Sequence, residues 1–382
     1  MNKQLIAENQ EWIDAVWERL DKKLSQAAVK HRDIIPYTAR DGVYRDMAKR
    51  NINWWTNGFW GGMMWLMYLE TRNEEYRKTA EHSEEMMDAA LENYEMLDHD
   101  AGFMWYLLSG ADYRITGNEK SKNRTLHAAA SLFSRYNISG GYIRAWNREE
   151  AKSWTIIDCL MNLPLLYWAS EELQDDRFKK VAVRHADMSL CDHIRPDGSV
   201  NHIVEHDPET GEMICAHGGQ GYNDTSCWSR GLAWAVYGMV LSYKYTQNPD
   251  YLSAAIKTAN YFIVNCAAED YKTLVDFRAP REPVYYDSTA GVCTACALLE
   301  LSAYVSEAEE YRYTDAALKI LKATDENFCN YDPEYDSVVQ MGTEAYPQIE
   351  AALDRVHLPL IYGDFFYVEA MLKLKGNQFC IW

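Results

Sequence analysis

The chain has 382 residues, 48% of them apolar and 25% charged, with a net charge of −19; these are ordinary globular proportions that exclude a disordered or fibrous chain, and the charge opposes binding to nucleic acid or to an anionic membrane surface. No apolar run is long enough to span a bilayer, and the opening MNKQLIAENQEW lacks the basic head and apolar run of a secretory signal, so a cytoplasmic protein is expected. The nine cysteines are scattered without C-x-x-C spacing, which reads as reduced thiols and predicts no metal site, no disulfide framework and no cofactor.

Apolar positions recur at helical spacing almost throughout. In chain order the predicted helices lie near 7–28, 58–73, 76–95, 102–117, 121–136, 155–171, 175–194, 226–246, 249–266, 288–305, 310–327 and 362–375. The segments Glu70–Tyr76, Glu172–Phe178 and Tyr245–Tyr251 each close one helix and open the next, with acids where a helix N-terminus favours negative charge. After each turn an aromatic is followed four residues on by alanine: Tyr76 and Ala80, Phe178 and Ala182, Tyr251 and Ala255, more loosely Tyr313 and Ala317. Helices before the turns are apolar nearly all round and those after them are amphipathic, which pairs inner with outer helices. The expectation is an all-α ring of six hairpins in a single domain, 1–382, closed by packing 8–28 against 365–374.

Long irregular stretches remain at 30–57, 138–153, 196–225, 268–287 and 329–360. Loops of that length in a compact domain are usually functional, and in a ring of hairpins they gather at one mouth. Aromatic residues make up 13% of the chain, with 13 Trp and 27 Tyr, and their flat faces with polar edges suit sugar rings.

Asp158 and Asp100 stand at the starts of two apolar inner helices. Each reads alone as a helix N-terminal acid. Facing one another across a cleft, one of them would have its pKa raised and become a proton donor near neutral pH. Arg230, on an apolar helix of an acidic protein, reads either as a buried ion-pair partner or as a fork for a substrate carboxylate. His202 and Gln220 are weak signals individually, and Trp54, Trp146, Trp228 and Trp234 read equally as core. No metal cluster, phosphate-binding glycine loop or Ser/His/Asp arrangement stands out. The residues alone support an acid-catalysed carbohydrate enzyme.

The motifs Trp55-Thr-Asn-Gly-Phe-Trp-Gly-Gly62, His99-Asp100-Ala-Gly-Phe103, Ile157-Asp158-Cys-Leu-Met-Asn-Leu163, Gly221-Tyr-Asn-Asp-Thr-Ser-Cys-Trp-Ser-Arg-Gly-Leu-Ala-Trp234 and Tyr362-Gly-Asp-Phe-Phe-Tyr-Val-Glu-Ala370 together resemble the unsaturated glucuronyl hydrolases of glycoside hydrolase family 88, over nearly the whole chain. The resemblance implies an (α/α)6 barrel of the six-hairpin glycosidase type. It also implies release of a terminal 4,5-unsaturated uronic acid from small lyase-generated, glycosaminoglycan-type oligosaccharides, by hydration of the C4–C5 double bond. By motif, Asp158 would be the general acid and base and Asp100 the second essential carboxylate. His202, Gln220 and Arg230 would bind polar groups of the uronate; Trp54, Trp146, Trp228 and Trp234 would shape the pocket; and Asn57 and His99 would support it. Members that prefer sulfated chondroitin disaccharides carry a Ser-x-x-Ser-x-Lys stretch where this chain reads Ala345 to His357, leaving Arg355 or His357 to substitute.

The nearest rival is an unsaturated rhamnogalacturonyl hydrolase acting on pectin fragments. A sugar isomerase on the same barrel, which needs paired histidines, and a non-catalytic sugar-binding barrel are further alternatives. A monomer or weak homo-oligomer is expected.

Overall fold

The computed structural model describes all 382 residues. Its principal helices are α1 Gln10–Lys30, α2 Asn57–Thr71, α3 Glu74–Met86, α4 Ser109–Thr116, α5 Glu119–Ser134, α6 Leu163–Leu173, α7 Asp176–Met188, α8 Ser229–Thr246, α9 Pro249–Ala267, α10 Ser288–Leu301, α11 Glu307–Phe328 and α12 Ile361–Leu374. The even-numbered helices form the inner ring of an (α/α)6 barrel. Every residue of α12 is buried, whereas α1 buries one stripe that includes Ile13, Val16, Trp17, Leu20 and Leu24, the spacing of a helix with one dry face. The ring closes as expected, α12 packing on α2 and on α1. One contiguous cluster of 104 buried residues runs from Leu5 to Trp382. No helix is long and apolar enough to cross a membrane.

Two kinds of connection alternate. At one end Arg72, Gly117, Gln174 and Gln247 take left-handed backbone conformations that end a helix. The next residues, Asn73, Asn118, Asp175 and Asn248, then cap the following helix by accepting the backbone N–H of Glu75, Lys120, Arg177 and Asp250. Each such cap contributes about 1 kcal/mol, so the hairpin turns are locally encoded.

At the other end lie the long connections, which carry three small antiparallel sheets. β1 Pro36–Arg40 pairs with β2 Val43–Asp46, β3 Tyr136–Asn137 with β4 Tyr142–Ile143, and β5 Trp154–Ile156, β6 Ile203–His206 and β7 Met213–His217 form a three-stranded sheet. This corrects the helix expected from 155: residues 154–156 are strand and Ile157–Asn162 a 3-10 turn before α6 begins. Pro164 occupies the first turn of α6 and has no N–H to donate to the carbonyl four residues back, so the α-helical ladder cannot run through it. The helix expected at 102–117 is likewise interrupted. Gly102–Tyr106 is π-helical and Leu108 departs from helical dihedrals at φ −102, ψ −81 before α4 begins. The π segment packs between α2 and α6.

Candidate active site

Asp158 and Asp100 are brought together by a contact that glycine permits. The side-chain oxygen of Asn162 accepts the Phe103 N–H at 2.8 Å, and its amide donates to the Asp158 carbonyl at 3.3 Å. A Cβ at Gly102 would lie 2.7 Å from that oxygen and 2.8 Å from the Asn162 Cα. Only glycine lets the two acid-bearing segments approach so closely.

The acids line a cavity of about 120 Å³ with His99, Gln220 and Arg230, walled by Trp55, Trp146, Trp228 and Ile156. A groove of about 660 Å³ at the opposite end of the barrel is larger, but its acid is neutralised: Glu300 is held by Lys244 at 3.1 Å and Lys373 at 2.8 Å.

Burial raises the Asp158 carboxyl to about 7, with the positive charge of Arg230 opposing the rise. Asp100 is raised well above the ordinary carboxyl range by burial and by the neighbouring charges of Asp98 and Asp158. Both acids are therefore poised to hold a proton where an exposed carboxyl would not. His99 Nδ1 donates to the Ala145 carbonyl at 2.9 Å, and burial lowers its pKa. Its other nitrogen faces Asp100 Oδ1 at 3.3 Å, so the protonated acid has a lone pair to donate to. His202 Nδ1 lies 3.0 Å from the Gln220 N–H and 3.2 Å from the Gly218 carbonyl; the nearer group is a fixed donor that claims the Nδ1 lone pair, which puts the ring proton on Nε2. Burial lowers its pKa to about 3, keeping it neutral.

Arg230 is an ion-pair partner, as the first reading had it, with one edge of its guanidinium left over. Nη1 pairs with the buried Asp287 and donates to the Thr343 carbonyl at 2.7 Å and to the Thr289 hydroxyl at 3.1 Å, while Nη2 donates to the Glu344 carbonyl at 2.8 Å. Its Nε–H is buried without a partner. With one Nη2–H uncommitted, the side-on edge of the fork is what remains for an acidic ligand.

Other expected residues fall in different places. Trp228 and Trp146 are on the cavity wall, and His202 packs beside Trp228, ring centroids 4.4 Å apart, with its Nε2 turned toward Asp158 Oδ1 at 3.7 Å. Trp234 was expected on the wall as well, but it is fully buried against Phe103 and Phe366, because one helical turn beyond Arg230 it points down the barrel. Trp54 lines a wider cleft of about 590 Å³ with Tyr37, Arg40, Arg50, Glu344 and Arg355. Asn57 is buried and clamps its own loop, donating to the carbonyls of Asn51 and Ile52. His357 Nε2 accepts the Tyr286 N–H at 3.0 Å, whereas Arg355 keeps one long contact to Glu344 at 3.5 Å. Trp55 and Ile156 were not singled out. The Trp54-Trp55 doublet was the signal for the former, but sequence does not say which of two adjacent rings turns inward.

Comparison with known proteins finds relatives over most of the chain. The pattern of Glycosyl Hydrolase Family 88 matches residues 28–276. The unsaturated glucuronyl hydrolase of Bacillus sp. (strain GL1) is 34% identical over 92% of this chain and 94% of its own. An unsaturated chondroitin disaccharide hydrolase of Streptococcus agalactiae serotype III (strain NEM316) is 32% identical over 86% of this chain and 83% of its own. The crystal structure of the Bacillus sp. GL1 enzyme, responsible for the degradation of glycosaminoglycan, superposes with a TM-score of 0.86 at 33% identity, covering 94% of this chain and 97% of the other. A crystal structure of an unsaturated glucuronyl hydrolase specific for heparin gives 0.86 at 30% identity over 95% and 96%.

Proposed function

The chain belongs to glycosyl hydrolase family 88, and from that membership we propose that it is an unsaturated glucuronyl hydrolase, releasing the terminal 4,5-unsaturated uronic acid from small glycosaminoglycan-type oligosaccharides left by polysaccharide lyases. The observation that carries the reading is Asp158, raised to about 7 and facing a cavity of about 120 Å³, which suits one terminal ring better than the interior of a polymer. The glucuronyl and chondroitin names of the relatives support this reading over a rhamnogalacturonyl one.

In the proposed reaction the substrate is a vinyl ether. Asp158 delivers its proton to C4, and the electron pair of the C4–C5 double bond forms the new C–H bond, leaving an oxocarbenium centre shared by C5 and the ring oxygen. Water adds at C5 and returns its proton to the Asp158 carboxylate. The hemiketal then breaks its C5–O5 bond to give a C5 ketone, and the hemiacetal left at C1 expels the remaining sugar. The neutral Nε2–H of His202, the side-chain carbonyl of Gln220 and the protonated Asp100 hold ring hydroxyls or the incoming water. The free edge of Arg230 takes the substrate carboxylate. The separation rule for ordinary two-carboxylate glycosidases does not apply, since the glycosidic carbon is not attacked.

The proposal includes action of residues 1–382 as one catalytic domain, as a monomer or weak homo-oligomer, in the cytoplasm. Nine unpaired cysteines suit a reducing compartment. Turnover in heavy water tests the chemistry: deuterium should appear at C4 of the released keto acid, and product without it there rules out the hydration route.

A further inference from the structure

One group of side chains outside the cavity has the geometry of a metal centre, although the sequence spacing predicted none. Cys215 and His217 are two residues apart on β7 and so share a face of the sheet. Glu205 on β6 is the direct register partner of Cys215, which places its side chain on that same face. The three ligand atoms converge: Cys215 Sγ lies 3.6 Å from His217 Nε2 and 3.6 Å from Glu205 Oε2, and the latter two are 3.0 Å apart. Zinc bonds of about 2.3 Å to sulfur and 2.0–2.2 Å to nitrogen and oxygen, at tetrahedral angles, require separations of about 3.5 Å for the sulfur pairs and about 3.3 Å for the nitrogen–oxygen pair. The triangle already has nearly those dimensions.

A nucleophilic relay does not explain the arrangement. In such a relay the thiol and the carboxylate bind opposite ring nitrogens of the histidine, whereas here both meet Nε2. Convergence of three donors on one point is how a cation is held.

We propose that Glu205, Cys215 and His217 form a three-ligand site for a thiophilic divalent cation of the zinc class. A thiolate and an imidazole select against Mg²⁺ and Ca²⁺, which take oxygen ligands. Binding displaces the Cys215 thiol proton and uses the Nε2 lone pair of the His217 ring, with the ring proton on Nδ1, and leaves a fourth position for water, since the side chains are only about two-thirds covered, at 31% exposure for both Glu205 and His217. The site ties β7 to β6 and fixes the His217 ring, which stacks on Trp154 with centroids 4.4 Å apart. Trp154 stands edge-on to the cavity residue Trp146, and its strand β5 leads directly into Asp158. The cation thus braces the sheet that enters the candidate active site.

The test is titration of chelator-treated protein with Co²⁺. The expected result is a sulfur-to-cobalt charge-transfer band and visible bands of four-coordinate cobalt, saturating at one ion per chain and displaced by Zn²⁺. Cys215→Ser should abolish the charge-transfer band, and His217→Ala should weaken binding by more than the ~10-fold that loss of an outer-shell partner of a ligand already costs. Zn²⁺ should raise the melting temperature of the wild type and leave that of Cys215→Ser unchanged. Absence of the bands in the wild type, or equal bands in Cys215→Ser, overturns the site, the latter by placing the metal on another of the free cysteines.

Discussion

His202 Nε2 and Asp158 Oδ1 face each other at 3.7 Å, and neither atom has a hydrogen-bond partner. The gap is too long for a direct hydrogen bond. A buried polar atom left unsatisfied costs about 1–3 kcal/mol, so a substrate hydroxyl or a water that engages both atoms recovers free energy that folding left unspent. The two residues come from different connections, and only the sheet formed by β5 and β6 brings them together.

Asp158→Asn keeps the shape of the side chain and removes its proton chemistry. The kcat, followed through loss of the unsaturated-uronate absorbance, should fall by ~10²–10⁴-fold. Wild-type turnover in this variant would sink the assignment.

The same substitution should improve stability on the alkaline side. Asp158 has a folded pKa of about 7 against a usual 3.8, so the folded state binds the proton more tightly, and the stabilising contribution present below 3.8 is lost as pH rises through about 7. Asp158→Asn has no such loss. Its melting temperature relative to wild type should increase between pH 4 and pH 8, and a constant difference across that range would contradict the raised pKa.

Activity should follow the same titration. Donation to C4 needs protonated Asp158, so kcat/KM should decline above about pH 7. His202, with a pKa of about 3, is neutral throughout this range; His202→Gln should therefore weaken activity but leave the alkaline limb where it was. A limb that disappears in His202→Gln would transfer the titration to the histidine.

Arg230→Ala leaves Asp287, which is fully buried, without its counter-charge, and should destabilise the fold by about 3–5 kcal/mol. Arg230→Lys keeps the charge but lacks the planar side-on edge. Its KM for an unsaturated disaccharide should rise more than its kcat falls. Equal affinity in the lysine variant would mean that the substrate carboxylate is held elsewhere, with Arg355 as the next candidate.

Gly102→Ala drives a methyl group into Asn162, with contacts of 2.7 and 2.8 Å that real structures do not tolerate. Overpacking of this kind costs about 1–3 kcal/mol, and the shift separates the Asp100 and Asp158 segments. Melting temperature and kcat should fall together; full activity would show that the spacing of the two acids is not critical.

By itself the sequence determined the ring of hairpins and singled out both acids. A helical stripe and a polar turn between two helices are written within a few turns of chain, so the helix at 7–28 and the turns Glu70–Tyr76 and Tyr245–Tyr251 could be read in place, whereas Asp158, read as opening a helix, sits in the 3-10 turn before α6. The break at Pro164 was in principle as local, yet the apolar run that spans it imitates a continuous helix. What the tertiary structure alone decided was pairing at a distance. Arg230 reads as ion-pair partner or substrate fork until the fold brings Asp287 from 57 residues away to occupy one end of its guanidinium. Likewise Trp54 or Trp55 turns inward according to what packs behind each ring, and Glu205 meets Cys215 and His217 only in the register of β6 with β7. Charge, burial and proton affinity at these positions are set by neighbours that the local chain does not contain.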